Sequence, residues 1–503
     1  MAIEKVAMIG AGAMGGGMTL LMAENGISVS IQDPSSKTVD ALIKSAEEQG
    51  IHSKLSKYEN YKDLCASLGS PKVIFFSLPH GTVGDTVVEG LYKYLDKGDV
   101  IVDCSNEEWG NTQRRQGKLV AQGVYYIGCG VSGGYQAARR GPSMCPGGQE
   151  AALDIMMPLF EKMAAKATDG TPCVAKIGMG GAGHYVKMIH NGIEHGMMSC
   201  ISEAWEIMNK HMGMKYDDIG KVFEKWSAEG ELKNTFLVKI GAEICEQKDK
   251  SGHHVLGDVQ DKVVQDIDGS EGTGIWSNTQ ATSLHVPAPT LSTAHYLRIV
   301  SAFRGQRKHV AETFHGSFLP QKFSFSSASE QDAFIEDLRL AVYSTCLAAY
   351  VQGISIIDVA DKQNKWCIDF ENIVKIWRAG CIIQADHISS LLAAIFHPTS
   401  TSPHKNHNLL YEPTIVADLK KGFESLKRVV AKGVQENCVV PSMSATLEWL
   451  KYSGNLELPT QFYEAELDYF GKHMYDSKKL DGKTDSEESL PETGKRHFEW
   501  KPA

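Results

Sequence analysis

The stretch VAMIGAGAMGGGMTLLMA, residues 6–23, decides the fold of the first part of the chain. Residues 4–9 have the pattern of a short buried strand, a glycine-rich turn follows at once, and a helical pattern continues to about Glu24. In such a turn the first glycine permits the sharp bend, the second lets a pyrophosphate approach the backbone, and the third allows close helix–strand packing. Amides at the start of the helix favour the phosphates. The residues predicted to contact a dinucleotide here are Gly10, Ala11, Gly12, Ala13, Met14 and Gly15.

A carboxylate ends the second predicted strand, GISVSIQD at residues 26–33. At this position Asp33 accepts hydrogen bonds from the ribose hydroxyls of NAD and repels the 2′-phosphate of NADP. Aspartate before Pro34 is also a common start of a turn. Ser35, just after the strand, and Leu78, at the end of a later one, are the other predicted cofactor contacts. We expect NAD as the cofactor, NADP as the less favoured one, and no metal.

Strand and helix patterns alternate through the first 178 or so residues. Further strands are predicted at 72–78, 99–105, 123–130 and 172–178, with helical patterns between most of them. This alternation predicts an α/β domain with a parallel, doubly wound sheet. Helical patterns then dominate to about residue 450. We therefore predict a Rossmann-type dinucleotide-binding domain over 1–180, a large all-α substrate and dimerisation domain over 181–455, and an extended C-terminal tail over 456–503.

Composition excludes several classes of function. Hydrophobic residues make up 42% of the 503 residues and charged residues 22%, as in globular enzymes. The net charge of −10, from 51 basic and 61 acidic residues, argues against a general nucleic-acid or anionic-membrane partner. The eleven cysteines form no CxxC pair and are expected to be reduced thiols of a cytoplasmic protein. No run of 18 apolar residues predicts a membrane span.

The stretch GHYVKMIHNGIEHGMM, residues 183–198, reads as one helix with two functions. Lys187, His190, Asn191 and Glu194 are spaced i, i+3, i+4 and i+7, so they share one stripe. An apolar stripe runs beside it through Val186, Ile189, Ile193 and Met197. Spacing alone leaves open whether the polar stripe is a solvated surface or a set of working groups. A solvated surface is usually richer in lysine and glutamate and poorer in histidine, asparagine and glycine.

Five stretches together resemble the 6-phosphogluconate dehydrogenase family, a branch of the β-hydroxyacid dehydrogenases. They are VSGGYQAARRGPSMCPGG (131–148), KMIHNGIE (187–194), GTGIW (272–276), IWRAGCII (376–383) and DYFGKHMY (468–475). They occur in the family's order along nearly the whole chain. The resemblance implies an NAD(P)-dependent, metal-free oxidative decarboxylation of a β-hydroxy acid. It also implies a homodimer in which each C-terminal tail reaches the partner's active site.

The resemblance assigns roles to individual residues. It implies that Lys187 takes the proton from the 3-hydroxyl as hydride leaves for the nicotinamide, and that its ammonium then stabilises the enol oxygen. Glu194 matches the glutamate that protonates the carbon which has lost its carboxylate. Such a pair requires a lysine held partly neutral and a glutamate held partly protonated. The other matching positions around substrate and nicotinamide are Asn191, Ser132, Gly133, Gly134, His190 and Asn106.

The chain departs from the family at two places. Members that hold NADP have Asn-Arg-Thr after the second strand, where this chain has Asp33-Pro34-Ser35. At the end of the substrate where the family grips a phosphate, a lysine, a tyrosine and one arginine are replaced by Glu271, His195 and Leu467. Arg298, Thr273 and His473 remain. Because contacts to charged groups contribute about 1.5–3 kcal/mol each, this pocket is expected to bind 6-phosphogluconate poorly.

The leading hypothesis is therefore a cytoplasmic, NAD-preferring decarboxylase of a small sugar acid, an aldonate-like substrate without phosphate. Three alternatives stay open. They are an ordinary 6-phosphogluconate dehydrogenase of the pentose phosphate pathway, a β-hydroxyacid dehydrogenase or reductase that does not decarboxylate, and a nucleotide-binding sensor without activity. The presence of Glu194 speaks against the second, and the set Lys187, Asn191 and Glu194 speaks against the third.

Overall fold

The structure, a computed structural model, describes residues 3–265, 272–397, 399–400, 408–478 and 494–501. Contacts divide the chain into two compact units, Met1–Leu447 and Glu448–Ala503. The strands are β1 (Lys5–Ile9), β2 (Ser28–Gln32), β3 (Leu55–Lys57), β4 (Val73–Phe76), β5 (Val100–Asp103), β6 (Tyr125–Ser132) and β7 (Ser143–Gly147). The division after Leu447 does not test the predicted domain boundary at residue 180, which lies within the larger unit.

The α-helices, numbered along the chain, are α1 (Ala13–Glu24), α2 (Ser36–Glu48), α3 (Tyr61–Ala66), α4 (Thr82–Leu91), α5 (Trp109–Val120), α6 (Gly134–Arg140), α7 (Glu150–Met163), α8 (Ala182–Glu206), α9 (Tyr216–Ala228), α10 (Phe236–Glu246), α11 (Thr273–Ser283), α12 (Pro289–Ala302), α13 (Arg304–Thr313), α14 (Ala328–Asn364), α15 (Phe370–Ile376), α16 (Asp386–Phe396), α17 (Pro413–Gln435), α18 (Pro441–Ser453) and α19 (Thr460–Gly471). A single π-helical turn, Ile207–His211, extends α8.

The strands form one sheet in the order β3-β2-β1-β4-β5-β6-β7. Neighbouring strands from β3 to β6 are parallel, and β7 runs antiparallel to β6. Alternate residues of β1 point to opposite faces, so Val6 and Met8 join one hydrophobic core while Ala7 and Ile9 join the other. The strand order reverses between β1 and β4, which opens a crevice at the carboxyl ends of these strands. The predicted fold class, a Rossmann-type domain followed by a large all-α region, is confirmed.

One strand predicted from the sequence is wrong, and two observed strands were not predicted. The segment 172–178 is not a strand; it forms isolated bridges at Val174 and Pro172. The strand at this edge is β7, whose sequence SMCPG reads as a turn because of its proline and glycine. Pro146 is tolerated because β7 is the last strand of the sheet, and its outer side forms an isolated bridge from Met144 to Val174 rather than a continuous ladder. The short strand β3 was also not predicted.

After the sheet, long helices build the rest of the larger unit. α8 packs on both β6 and β7 and also against α14, which in turn packs against α17. Of the described helices, α14 is long and apolar enough to cross a membrane by length and composition. However, 89% of its most apolar window is buried, which is the pattern of a core helix.

Candidate active site

A cavity of about 710 Å³ opens where the carboxyl ends of β4, β5 and β6 face α8. Twelve residues predicted from the sequence line it together: Met14, Leu78, Asn106, Ser132, Gly133, Gly134, Lys187, Asn191, Glu194, His195, Thr273 and Arg298. The remaining lining residues are Ser77, Pro79, His80, Cys104, Ser105, Val131, Met198, Val263, Gln265 and Ile382. Residues from the dinucleotide-binding turn and from the polar stripe of α8 thus share one cleft.

Glycines allow α8 to lie against the sheet closely enough to place its polar stripe in this cleft. A Cβ atom on Gly130 of β6 would lie 2.2 Å from the Cβ of Lys187, and one on Gly183 would lie 2.2 Å from the carbonyl oxygen of Gly128. Neither position has room for a side chain. The apolar stripe predicted beside the polar one is fully buried, with Val186, Ile189, Ile193 and Met197 all inaccessible to solvent.

The carboxamide of Asn191 is the centre of a buried hydrogen-bond network. Its Oδ1 accepts from Lys187 Nζ at 2.5 Å and lies 3.1 Å from His190 Nδ1, while its Nδ2 donates to Thr273 Oγ1 at 3.0 Å. Thr273 begins α11, so the network joins two helices. Because both ends of the carboxamide are engaged, the Nζ of Lys187 is held at a fixed place beside the cavity.

His190 is placed to act as a neutral hydrogen-bonding group. Burial, and then the positive charge of Lys187, hold the pKa of His190 well below its ordinary value. In the neutral ring, Nδ1–H donates to Asn191 Oδ1, so Nε2 accepts from the hydroxyl of Ser132 at 2.9 Å. Glu194 Oε2 lies 3.8 Å from the same Nδ1. The four predicted polar residues of α8 therefore do meet at one site.

At the end of the cavity formed by His195 and Arg298, the arginine is charged but the histidine is not. Burial, then Arg298 and then His295, hold the pKa of His195 well below its ordinary value, so this ring is neutral. The rings of His195 and His295 stack with centroids 6.1 Å apart. Arg304 and Arg307 both bind the carboxylate of Asp261. Glu271 lies outside the described residues.

Two predicted residues belong to the smaller unit, Glu448–Ala503. His473 packs its ring against Phe470, with centroids 6.1 Å apart. Leu467 lines an apolar pocket of about 500 Å³ formed by aromatic side chains of the same unit. A contact of either residue with a substrate stays a prediction.

The loops that follow β4 and β5 carry site residues that the sequence reasoning missed. Ser77, Pro79 and His80 follow β4, and Ser105 follows β5. Ser105 Oγ accepts from the amide of Leu78 at 3.0 Å and so joins the two loops. Their position at the carboxyl ends of adjacent parallel strands was a signal that could have identified them.

A buried arginine fixes the same loops from behind. Arg115 Nη1 donates to Glu107 Oε2 at 2.7 Å and lies 3.4 Å from Asp103 Oδ2. Glu107 also accepts from the amide of Gly81 at 3.1 Å, and Arg115 Nη2 donates to the carbonyl of Gly81. This group positions the segment that carries Asn106. It could not be predicted, because its members are spread over three separate segments.

The glycine-rich turn between β1 and α1 has the form that a dinucleotide requires. Gly10 has φ +95°, and a Cβ there would lie 2.1 Å from the carbonyl oxygen of Ser77. A Cβ on Gly15 would lie 2.0 Å from the carbonyl oxygen of Gly10. In contrast, a Cβ on Gly12 would meet nothing within 4 Å, so protein packing does not explain this glycine. A ligand that approaches the backbone at Gly12 explains it.

Asp33 lies beside this turn. Its Oδ2 accepts from the amide of Ala11 at 2.8 Å, and its Oδ1 accepts from the amide of Ser35 at 2.8 Å. A carboxylate can accept about four hydrogen bonds, so two remain for the hydroxyls of a ribose. Ser35 caps α2 through a hydrogen bond from the amide of Thr38. These residues fit an adenosine ribose held at the end of β2.

The chain matches the two sequence models that describe one enzyme family. The model "NAD binding domain of 6-phosphogluconate dehydrogenase" matches residues 5–178, and "6-phosphogluconate dehydrogenase, C-terminal domain" matches residues 183–500. The chain belongs to the 6-phosphogluconate dehydrogenase family. The resemblance carried by the motifs is thereby confirmed, and the chain is an NAD(P)-dependent, decarboxylating oxidoreductase that acts on CH–OH groups.

Relatives in this family cover nearly the whole chain. The decarboxylating 6-phosphogluconate dehydrogenase of Emericella nidulans is 40% identical over 505 residues, covering 97% of this chain and 100% of the relative. That of Escherichia coli K12 is 34% identical over 481 residues, covering 96% and 98%. The solved Plasmodium falciparum 6-phosphogluconate dehydrogenase, described in its apo form and with NADP⁺ or 6-phosphogluconate, has a TM-score of 0.86 at 28% identity and covers 99% and 100%.

Proposed function

We propose that this chain oxidises and decarboxylates an aldonate-like β-hydroxy acid without a phosphate, using NAD in preference to NADP. The observation that carries the reaction is the placement of Lys187, Asn191 and Glu194 in one cavity with Met14, which follows the glycine-rich turn at the start of α1. The observation that carries the choice of cofactor is the carboxylate of Asp33 beside that turn.

The residues that would hold the cofactor are the backbone at Gly12, the carboxylate of Asp33, and Leu78 and Asn106 in the loops after β4 and β5. When bound, the nicotinamide supplies the acceptor for the hydride. The charge of Asp33 opposes a 2′-phosphate at short range. Lys37 lines the groove beside Gly12, and its positive charge would attract the 2′-phosphate of NADP.

Lys187 is proposed as the base for the oxidation. Its Nζ takes the proton of the 3-hydroxyl, for which the amine must be neutral at the start. The hydrogen bond to Asn191 Oδ1 fixes the direction of one N–H, so the lone pair can be directed at the substrate. The oxidised β-keto acid then loses carbon dioxide because the ketone accepts the electrons. The ammonium formed at Lys187 stabilises the resulting enol oxygen.

Glu194 is proposed as the acid that completes the reaction. It lies two helical turns beyond Lys187 on the same stripe and lines the same cavity, so the two groups reach different atoms of one substrate. Its carboxyl group donates a proton to the carbon that has lost its carboxylate. Ser132, whose hydroxyl is held by His190, lines the same cavity and would bind the oxygen atoms of the substrate.

Charge supports a substrate without a phosphate. Among the described residues that line the cavity, Lys187 and Arg298 are the cations, and Lys187 is assigned to the chemistry. His195 is neutral and adds no charge. Arg304 and Arg307 already bind Asp261, so their use by a phosphate would require that pairing to be broken. The alternative substrate is 6-phosphogluconate itself, favoured by relatives at 32–40% identity that carry that name.

The proposal is tested by a screen of aldonates, β-hydroxy acids and 6-phosphogluconate, each with NAD and with NADP, in which carbon dioxide and reduced cofactor are both measured. We expect equal amounts of the two products from a non-phosphorylated aldonate with NAD. The variant Glu194→Gln should still reduce the cofactor but release the decarboxylated product more slowly. Reduced cofactor without carbon dioxide would instead identify a dehydrogenase that does not decarboxylate.

The substrate preference has its own test. We propose that Glu271 and Leu467 exclude a phosphate, so Glu271→Lys combined with Leu467→Arg should raise kcat/KM for 6-phosphogluconate more than either single change does. A micromolar KM of the unaltered enzyme for 6-phosphogluconate would contradict this proposal and favour the alternative substrate. It would leave the roles of Lys187 and Glu194 unchanged.

We also propose that the active form is a cytoplasmic homodimer in which the tail from Asp468 onward completes the partner's site. The smaller unit supports this, because its aromatic side chains are exposed in one chain. Phe462 is 71% and Phe470 72% exposed, although both are large and apolar. Exposed apolar surface of this kind is typical of an interface.

A further inference from the structure

Three side chains of different chemistry converge at the far end of α8, away from the cavity. Glu206 is the last residue of α8, His211 ends the π-helical turn that follows, and Cys438 lies in the loop between α17 and α18. One carboxylate oxygen, one imidazole nitrogen and the thiol sulfur all lie within 4.8 Å of one another. Oxygen, nitrogen and sulfur donors from separate segments are a set that zinc binds in proteins.

The ring of His211 is oriented as a metal ligand would be. Its Nδ1 lies 2.7 Å from the carbonyl oxygen of Gln321, so Nδ1–H donates to that carbonyl. Its Nε2 faces Glu206 Oε1 at 3.2 Å. In protein metal sites the ring nitrogen that does not bind the metal commonly donates to a carbonyl or carboxylate, which fixes the tautomer. The ring is also fully buried, so solvent does not compete for it.

The second oxygen of Glu206 adds an independent observation. Glu206 Oε2 is buried and has no hydrogen-bond partner among the described residues. A buried carboxylate oxygen without a partner is costly, and each such group in a native protein requires an explanation. A cation bound by the carboxylate supplies one. The π-helical turn is a second unusual feature at the same place, and such turns occur frequently at functional sites.

We propose that Glu206, His211 and Cys438 bind a Zn²⁺ ion through one oxygen, one nitrogen and one sulfur donor. Bonds of about 2.0–2.2 Å to nitrogen and oxygen and about 2.3 Å to sulfur place tetrahedral ligand atoms roughly 3.3–3.6 Å apart. The three donor atoms lie within 4.8 Å of one another, so metal binding would bring them closer by up to about 1.2–1.5 Å. The ion would tie the end of the helix that carries Lys187 to the loop after α17.

Binding replaces the thiol proton by the metal. Burial, and then the carboxylate of Glu206, raise the pKa of Cys438 to about 12, so the thiol is protonated without a metal. A coordinating thiol loses its proton to solvent as the Zn–S bond forms. Lys210 and Lys432 are cations near this group, and Glu436 is a further anion near Cys438. The Nζ of Lys432 lies 4.6 Å from the ring centroid of Phe323.

The test uses the full-length protein after metal is removed with a chelator. Zn²⁺ is titrated in competition with a chromophoric chelator, and Co²⁺ serves as a spectroscopic probe because a thiolate–cobalt bond gives a charge-transfer band. We expect one high-affinity equivalent, a thiolate–cobalt band, and a higher unfolding temperature with Zn²⁺. Cys438→Ser should abolish the band and weaken Zn²⁺ binding at least tenfold. Glu206→Gln should weaken binding similarly but retain the band.

The exposed cysteine at position 367 provides the matched control. Cys367→Ser should bind Zn²⁺ and give the cobalt band as the unaltered protein does. Unfolding temperatures of the metal-free variants show whether a loss of Zn²⁺ affinity comes from misfolding. Glu206→Gln keeps the thiol and therefore tests the contribution of the carboxylate to Zn²⁺ binding independently. Equal Zn²⁺ affinity of the unaltered protein and Cys438→Ser, or the absence of a thiolate–cobalt band, would overturn the proposal. His211 and Glu206 would then form a hydrogen-bonded pair only.

Discussion

Lys187 combines burial with a fixed position, and both bear on its proposed role as a base. The side chain is 8% exposed, and Nζ donates to Asn191 Oδ1, which also lies next to the neutral ring of His190. The role of base requires the neutral amine, which can take a proton. Burial strengthens the interaction of the ammonium with an enol oxygen once the proton has moved.

Replacing Lys187 by methionine should therefore abolish turnover while leaving dinucleotide binding. Methionine keeps the length and the packing of the side chain but has no proton to exchange. General acid–base groups contribute about 10²–10⁴-fold, so we expect kcat to fall by at least 100-fold. The dissociation constant of NAD, measured by protein fluorescence, should remain unchanged.

Lys118→Met offers a control for that variant, because Lys118 is exposed on α5 and pairs with Glu89 on the surface. It should keep full activity. A general acid or base usually contributes at least about 100-fold to the rate. If Lys187→Met retained more than about one hundredth of the rate, another residue would be the base.

Asp33→Asn should reduce the preference for NAD. The change removes the charge that repels a 2′-phosphate but keeps a hydrogen-bonding group of the same size. We expect the ratio of kcat/KM for NAD to that for NADP to fall about tenfold, which corresponds to about 1.4 kcal/mol. Asp40→Asn, at an exposed position of α2, should leave the ratio unchanged. An enzyme that used NADP as well as NAD before any change would refute the role given to Asp33.

At the residue scale, spacing predicted the polar stripe of α8 and the family resemblance predicted cavity residues on other elements, whereas contacts between separate segments were missed. The stripe from Lys187 to Glu194 could be predicted because helical periodicity places its members on one face. The hydrogen bond of Arg115 to Glu107, and the proximity of His211 to Cys438, depend on how separate segments pack. Local sequence carries no signal for such pairs.

The contact between α8 and β6 determines where the chemistry occurs. The helix can approach the strand only because Gly130 has no side chain at the point where Lys187 passes. Close packing of this kind leaves no room for an added methyl group, and overpacking typically costs about 1–3 kcal/mol. A small change in the strand would therefore move the base relative to the rest of the cavity.

Gly130→Ala should lower both stability and activity, since its Cβ would lie 2.2 Å from that of Lys187. We expect the free energy of unfolding to fall by about 1–3 kcal/mol, and kcat to fall even where the protein is fully folded. Chemical denaturation and steady-state kinetics measure the two effects. Gly117→Ala is the control, because this exposed position in α5 has open space around its Cβ and alanine favours helix by about 1 kcal/mol. A fully active Gly130→Ala enzyme would refute the packing argument.

At the element scale, strands with a continuous apolar pattern were predicted, whereas a strand that contains turn-forming residues was missed. β1, β2, β4, β5 and β6 are short apolar runs, and each was predicted within a few residues of its observed bounds. β7 escaped prediction because its edge position tolerates a proline and a glycine that ordinarily indicate a turn. The segment 172–178 is apolar like a strand, but it forms an isolated bridge from Val174 to Met144 beside β7.

At the scale of the whole molecule, hydrogen bonds to one buried carboxylate hold the smaller unit together. Asp468 is buried and accepts from the amides of Met474 and Phe498, from His497 Nδ1 and from Trp500 Nε1. Burial alone would raise the pKa of Asp468, but these hydrogen bonds outweigh it and hold the pKa below its ordinary range. The carboxylate thus fixes the two ends of the tail together, while the aromatic face that includes Phe470 stays exposed.

The proposal that the tail acts across a dimer leads to a test by complementation. We expect His473→Ala, in the tail, and Lys187→Met, in the cavity, each to inactivate a homodimer. In a mixed dimer, the protomer with intact Lys187 would receive the intact tail of the Lys187→Met protomer, so one of the two sites would be complete. Random pairing makes half of the dimers mixed, so coexpression should restore about a quarter of the activity of the unaltered enzyme.

A tail that folded onto its own protomer would give the opposite result, because each chain of a mixed dimer would carry one defective part of its own site. Activity would then stay at the level of the separate variants. Sedimentation equilibrium supplies the second measurement. Replacing the exposed Phe462 and Phe470 by serine should weaken the dimer, because burial of their apolar side chains in the interface would favour association. Full activity of a monomer, or no recovery in a sample shown to contain mixed dimers, would refute tail exchange.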